Sequence, residues 1–288
     1  MQDQTTDCPV VPLMAINTNY DKGTPIEARL RQCARAGFNG IHWCEDMWEG
    51  KSYDDAAVAR IAALMQANGL SFLSMHSPFP ADADMQSGDP MARARGIALV
   101  QNRLAATAAL GGHCLVIHSV DKQPQVMPNL IQSLDRLADT CRKTGVVLAI
   151  EAFCEAGAAP LFERYPRAVA GFCYDTGHCN IQMPPTLSLL ESFGERLCEL
   201  HLHDNYGKED DHRLPFDGTV DWPYVTGVLA RRGYSRPLTL EIGRLTYSTG
   251  RYAPNEARLT VDQFLAEALR RAVRLAEARS RAESKTND

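Results

Sequence analysis

Short apolar runs alternate with longer amphipathic stretches along the whole chain, and run after run stops on an imidazole or a carboxylate. Examples are Ser71-Phe-Leu-Ser-Met-His76, Cys114-Leu-Val-Ile-His118, Val146-Val-Leu-Ala-Ile-Glu151 and Leu238-Thr-Leu-Glu241. Runs of this length and composition read as buried strands. The pattern predicts strands at Leu13–Asn17, Gly40–Trp43, Ser71–His76, His113–His118, Val147–Glu151, Ala170–Tyr174, Leu197–His203 and Leu238–Ile242. Helices are expected between them, among others at Pro25–Ala36, Ala56–Asn68, Pro90–Leu110, Leu130–Thr144 and Thr260–Ala278. Thr24 before Pro25 reads as a cap followed by Pro in the first turn. The polar end, Arg279–Asp288, is expected to fray.

Eight strand–helix units in 288 residues point to one closed (β/α)8 TIM barrel. It forms a single α/β domain over 1–288 with its core at about 13–275. An open doubly wound sheet is disfavoured, because no Gly-rich dinucleotide fingerprint follows the first strand. The segments Phe79–Asp89, Cys154–Ala159 and Asn205–Asp217 are expected to be loops that shape the mouth.

The net charge of -5 comes without a basic tail or block, so composition gives no reason to expect nucleic acid. A local basic groove would not show in it. Nine cysteines without a CxxC pair read as reduced, mostly buried thiols. No apolar run is long enough to cross a bilayer, and the start Met1–Asp7 is polar and acidic, unlike a leader. A cytoplasmic protein with no membrane partner is expected.

The tips of parallel barrel strands share one rim. Glu151, Asp175, His201 and Glu241 end the fifth to eighth strands. A single strand-end Glu is ordinarily just solvated. Several carboxylates crowded on one rim repel each other unless a cation sits between them. The mixed oxygen and nitrogen set suits Mn²⁺, Mg²⁺, Co²⁺ or Zn²⁺ and leaves positions open for substrate oxygens.

More imidazoles face the same way. His76 and His118 end the third and fourth strands. In Asp175-Thr-Gly-His178, Gly177 is expected to allow a tight turn that folds His178 back to the rim. In His201-Leu-His203-Asp204 the two imidazoles share a face. His201 is the preferred ligand, His203 orients substrate or packs in the rim, and Asp204 is expected to fix an imidazole tautomer. Asp210 and His212 add a further pair in a loop. His113 begins its strand and should be structural. His42, Trp43 and Glu45, with Trp48 nearby, form an aromatic and polar cluster that could wall a sugar ring. Arg213 and Arg244 could receive a phosphate or carboxylate, or be plain surface charge.

Several segments together resemble the xylose-isomerase-like TIM barrels. They are Gly37-Phe-Asn-Gly-Ile41, Met75-His-Ser-Pro-Phe79, Ile150-Glu-Ala-Phe153, Tyr174-Asp-Thr-Gly-His178, His201-Leu-His-Asp-Asn205, Asp210-Asp-His-Arg-Leu-Pro215, Gly218-Thr-Val-Asp-Trp222 and Leu238-Thr-Leu-Glu241. That superfamily includes sugar phosphate isomerase/epimerase-type proteins, ketose 3-epimerases, inosose dehydratases and abasic-site nucleases of the endonuclease IV type. The resemblance implies a single divalent metal on Glu151, Asp175, His201 and Glu241. It also implies that the two Glu act as an acid/base pair, moving a proton through a metal-bound enediolate. His76, His118, His178, Asp210 and His212 resemble the extra zinc ligands of the nucleases, so a multinuclear site stays open. Gly218-Thr-Val-Asp-Trp222 resembles the isomerase ending, whereas Phe79 and His203 depart from the nuclease pattern. Phe216 stands where many isomerase-type members have Gly, so this loop is expected to differ in shape. No Arg/Lys cluster with interleaved aromatics lies in the mouth loops.

The expected function is a metal-dependent sugar or sugar-phosphate isomerase or epimerase. The alternatives are an abasic-site phosphodiesterase with a multinuclear zinc site, or a sugar-acid or inosose dehydratase. The expected partner is a small sugar or sugar phosphate and not nucleic acid. Homo-oligomers are common among such barrels, though no residue pattern here points to one.

Overall fold

The structure is a computed structural model that describes residues 13–80, 82–119, 124–244 and 259–286. Eight parallel strands run as β1 (Met14–Asn17), β2 (Gly40–Trp43), β3 (Ser71–His76), β4 (Cys114–His118), β5 (Val147–Glu151), β6 (Ala170–Asp175), β7 (Leu197–His201) and β8 (Leu238–Leu240). They hydrogen-bond in the order β7-β6-β5-β4-β3-β2-β1-β8. The circle closes just past β7. There the Leu202 N–H donates to Thr239 O at 2.9 Å, and the Glu241 N–H donates to Leu202 O at 3.2 Å. The predicted strands therefore stand, each within two residues at its ends.

Around the strands lie α1 (Ile26–Ala36), α2 (Asp55–Asn68), α3 (Pro90–Ala109), α4 (Met127–Thr144), α5 (Glu155–Arg164), α6 (Thr176–Asn180), α7 (Leu189–Phe193), α8 (Trp222–Arg231) and α9 (Val261–Thr286). Three expectations change. Thr24 does not cap α1; its hydroxyl goes to Asp21, and Pro25 holds the cap position without a side-chain bond. The expected loop Cys154–Ala159 is largely the first turn and a half of α5. The C-terminal stretch continues α9 instead of fraying. Arg279–Glu283 and Arg281–Glu277 pair one helical turn apart, and Ser284 bonds back to Ser280. The start Met1–Asp7 and Cys8 lie outside the described residues; the other eight cysteines are free thiols, and Cys154 alone of them is not buried.

Side chains alternate across a strand, so one parity of each faces the barrel axis. That parity carries small residues: Ala15, Gly40, Ser74, Cys114, Ala149, Gly171 and Thr239. Such interiors are usually filled by branched apolar side chains. Here the space is taken partly by the buried Glu199, whose Oε1 accepts from Thr239 Oγ1 at 2.7 Å. Cys114, Val116, Ala149, Cys173 and Cys198 form a separate apolar cluster beside it, apart from the main core between strands and helices.

Candidate metal centre and active site

β5, β6 and β7 end on Glu151, Asp175 and His201, and Glu241 follows β8 directly. All four are buried. They meet around one atom. His201 Nδ1 lies 3.1 Å from Glu241 Oε2, 3.4 Å from Glu151 Oε2 and 3.8 Å from Asp175 Oδ2. Neither Glu151 oxygen and neither His201 nitrogen completes a hydrogen bond. Buried carboxylates without partners are costly unless a positive charge is supplied. Three carboxylates and an imidazole with unspent lone pairs fit a hard or borderline divalent cation.

In this arrangement protons do the compensating. Burial opposes ionisation of Glu151, but the charges of His201 and His118 and the close approach of the His178 and His201 rings hold it well below the usual carboxylate range. Burial likewise opposes Glu241, and His201 and His212 outweigh it. His201 is pushed well up: burial works against its charge, while Cys173, Glu241 and Glu151 favour it.

Two further groups flank the centre. His76 Nε2 and His118 Nε2 lie 3.6 and 3.7 Å from Glu151 Oε2. His76 Nδ1 faces Ser77 O at 2.9 Å, which leaves Nε2 turned to the site. His118 is the open member, with 44% of its side chain exposed. On the other side His178 Nδ1 lies 2.7 Å from Glu151 Oε1, and its Nε2 lies 3.2 Å from Asp210 Oδ2. Asp210 Oδ2 is also 3.0 Å from His212 Nε2. Burial resists charge at His212, but Asp210, through its charge and a hydrogen bond, lifts it to about 9.

The local structure explains these positions. Asp175 caps α6, its Oδ1 accepting the His178 N–H at 2.6 Å, so the same residue ends the strand and aims His178. Gly177 does not make the expected tight turn. It lies within α6, and a Cβ there would overlap the His203 ring. His203 is wholly buried, with Nε2 3.0 Å from Asp175 Oδ1 and its ring stacked on His212 at 4.1 Å. It holds Asp175 and has no open face for a substrate.

Asp204 does not fix an imidazole. Its carboxylate accepts from the backbone N–H of Asn205, Phe216 and Val220 and from Trp222 Nε1, at 2.8 to 3.1 Å. It thereby folds the loop carrying Asp210 and His212 back onto β7. A Cβ on Gly218 would strike Asn205 O and Asp204, so the return path has room only for glycine. Phe216 takes φ +73°, the left-handed region that favours glycine. Its ring lies against Trp222 and beneath Arg274, 5.5 and 3.9 Å away. The loop thus keeps at this position a backbone suited to Gly while bearing a Phe.

The expected cluster after β2 divides. Trp43 is buried and donates Nε1–H to Tyr53 Oη, and Glu45 is clasped by Arg29 at 2.8 and 2.9 Å. Both are structural. Trp48 is 58% exposed and stands edge-on to Phe79 at 4.3 Å. Phe79 in turn touches His118 at 4.9 Å, and Phe153 approaches His178 at 5.5 Å, so the aromatic wall is Trp48, Phe79 and Phe153. Arg213 is buried beside Asp211 at 3.6 Å and over the Tyr206 ring, and Arg244 lies 3.3 Å from Asp21. Each already faces a carboxylate, which weakens it as an anion receiver.

The chain has eight histidines. Seven gather here, because His42 also belongs: its ring centroid is 4.7 Å from that of His201. The eighth, His113, lies away from the rim with Nε2 3.0 Å from Cys198 O, and is structural as expected. Two residues at the site were not expected from the sequence, Cys173 beside His201 and the buried Glu199 in the barrel interior. Strand alternation could have found Glu199, which precedes His201 by two. No described helix is long and apolar enough to cross a membrane.

The family model described as xylose isomerase-like TIM barrel matches residues 30–263. An uncharacterized protein of Sinorhizobium fredii, y4fM, is 32% identical over 256 residues, covering 77% of this chain and 82% of that one. The fructoselysine 3-epimerase of Escherichia coli O157:H7 is 22% identical over 244 residues, 76% of this chain and 86% of its own. Among solved structures, a D-psicose 3-epimerase in the presence of D-fructose superposes with a TM-score of 0.76 at 18% identity, covering 92% of this chain and 99% of that one. Barrel, site and matches together lead to one statement: the chain belongs to the xylose isomerase-like TIM barrel family.

Proposed function

We propose that the protein is a divalent-metal-dependent isomerase or epimerase of a ketose or related hydroxy-carbonyl sugar. The observation that carries this reading is the convergence of Glu151, Asp175 and Glu241 on His201 Nδ1, with no hydrogen bond completed at either Glu151 oxygen. Relatives named as a fructoselysine 3-epimerase and a D-psicose 3-epimerase support a sugar substrate. Mn²⁺, Mg²⁺, Co²⁺ or Zn²⁺ held by these four side chains would polarise the substrate carbonyl and acidify the neighbouring C–H.

The remaining steps belong to the chain. Glu151 and Glu241 are held ionised at neutral pH by the imidazoles around them, so either can take a proton from carbon. The partner returns a proton to the other face or to the neighbouring carbon. His118 and His178 flank Glu151 within reach of substrate hydroxyls. Trp48, Phe79 and Phe153 offer apolar faces to the carbon side of a sugar.

The test is solvent-deuterium exchange. With Mn²⁺ or Co²⁺ present, a panel of ketoses and sugar phosphates in D₂O should include one that gains deuterium beside its carbonyl. Glu151→Gln and Glu241→Gln should each remove that exchange with the circular dichroism spectrum unchanged. Full exchange in either variant would rule out that Glu as base.

A second reading rests on the flanking groups. His178, Asp210 and His212 form one ligand set, and His76, His118 and Glu151 form another. Three metals across these sets would suit a phosphodiesterase acting on abasic DNA. Elemental analysis separates the two. About one divalent ion per chain supports the isomerase; about three zinc ions, with cleavage of an abasic duplex, supports the phosphodiesterase.

A further inference from the structure

Away from the rim, toward the starts of β4 and β7, a second set of donor side chains comes together. A ring nitrogen of His113, the Cys114 sulfur and a Glu199 oxygen lie within 4.8 Å of one another. Cys114 and Glu199 are buried, and His113 is half-buried. The pairing of β6 with β7 slips here: Phe172 stands opposite Leu197, but Cys173 stands opposite Glu199. An irregularity of this kind re-aims side chains. The consecutive residues Cys198 and Glu199 are therefore both buried, Cys198 in the cluster that holds Cys114. A Cβ on Gly171 would strike the Cys198 sulfur, so β6 keeps room for that thiol. The His113 ring is tied to the same place, with Nε2 3.0 Å from Cys198 O.

The Glu199 carboxylate is held by one oxygen. Oε1 accepts from the Leu200 N–H at 2.9 Å and from Thr239 Oγ1 at 2.7 Å, which leaves Oε2 to the Cys114 sulfur at 3.8 Å. A thiol is only a weak donor. Zinc bonds sulfur at about 2.3 Å and oxygen at about 2.0 Å, so at tetrahedral angles it holds the two atoms about 3.5 Å apart. The gap between Cys114 and Glu199 is close to that span. Imidazole, thiolate and carboxylate are also the donors this ion takes. We propose that His113, Cys114 and Glu199, with the Cys198 thiol as fourth donor, hold a structural Zn²⁺ inside the barrel. The ion would tie β4 to β7, which are not neighbours in the sheet. This site shares no ligand with the rim and does not rest on the function proposed for it.

Protein produced in Co²⁺-supplemented medium tests it, because the ion is then offered while the barrel folds. A thiolate bound to Co²⁺ gives a charge-transfer band in the near ultraviolet; carboxylate and imidazole ligands do not. Wild type should show the band. Cys114→Ser should lose it, together with about one metal ion per chain by elemental analysis. Cys173→Ser, which alters the thiol beside His201, should keep both. Wild-type protein without the band would overturn the proposal, and that measurement needs no variant to fold. A band that survives in Cys114→Ser, or vanishes in Cys173→Ser, would place the thiolate-bound ion elsewhere and overturn it as well. An ion here adds one to whatever the rim holds. Only this ion carries the band, so Glu151→Gln should leave the band in place even where it empties the rim.

Discussion

Glu151 is the residue on which the centre turns, and Glu151→Gln isolates its charge. Its two oxygens lie 2.7 Å from His178, 3.4 Å from His201, 3.6 Å from His76 and 3.7 Å from His118. Gln keeps the shape and removes the anion. A cation present at about 100 times its dissociation constant stabilises the native state by about 2.7 kcal/mol. At about 2–4 °C per kcal/mol for a chain this large, that is a rise of about 5–10 °C in Tm. Even an outer hydrogen-bonding partner of a metal ligand is worth about 10–100-fold in affinity, so loss of a direct carboxylate should reach the upper figure. The same cation concentration then equals the variant's dissociation constant, and the stabilisation falls to about 0.4 kcal/mol, about 1–2 °C. Differential scanning fluorimetry with Mn²⁺, Co²⁺ and Zn²⁺ measures both shifts. Each is taken against its own metal-free protein, because the variant also loses its pairing with the imidazoles. Equal shifts in variant and wild type would refute the role of Glu151. No shift of the wild type with any of the three ions would refute the metal centre.

Three other outcomes follow from the geometry. In metal-free protein His212 is raised from 6.5 to about 9, so its contribution is complete below pH 6.5 and lost as pH climbs through 9. The loss is about 3 kcal/mol, and Tm should fall across that interval; a flat profile from pH 6.5 to 9 would contradict the Asp210–His212 pairing. Asp204→Ala strips an acceptor from four donors, each such bond worth about 1.5–3 kcal/mol. A Tm drop of at least about 12 °C is expected, and a change under about 2 °C would deny its anchoring role. Gly177→Ala drives a methyl into the His203 ring, so metal affinity by chelator competition should weaken although no ligand is altered; unchanged affinity would show that His203 does not hold Asp175 in place.

Much of this molecule is legible along the chain because a strand of a parallel barrel delivers its last inward residue to the rim. That rule alone finds Glu151, Asp175 and His201, and it also assigns His76 and His118. It stops where contacts depend on a loop's return. Asp204 looks like a partner for the neighbouring imidazole, and only the folded loop shows that Phe216, Val220 and Trp222 claim it. Phe216 hides a left-handed position behind a residue type that rarely takes one. Trp43 and Glu45 are near the site in sequence, but Tyr53 and Arg29 draw them away. The length of α9 was missed because a mixed-charge tail reads as solvated, while its one-turn spacing sustains a helix.

Because Asp204 locks the β7 end, the returning loop and the head of α8 into one body, that side of the rim has little freedom to part. His201 and His203 there are wholly enclosed, whereas across the barrel His118 and Trp48 stand open to water. Among the described residues, the passage to the carboxylates thus runs over the β3–β4 shoulder. A substrate of the proposed reaction would then pass the aromatic edge formed by Trp48 and Phe79, with the Asp204 knot left fastened.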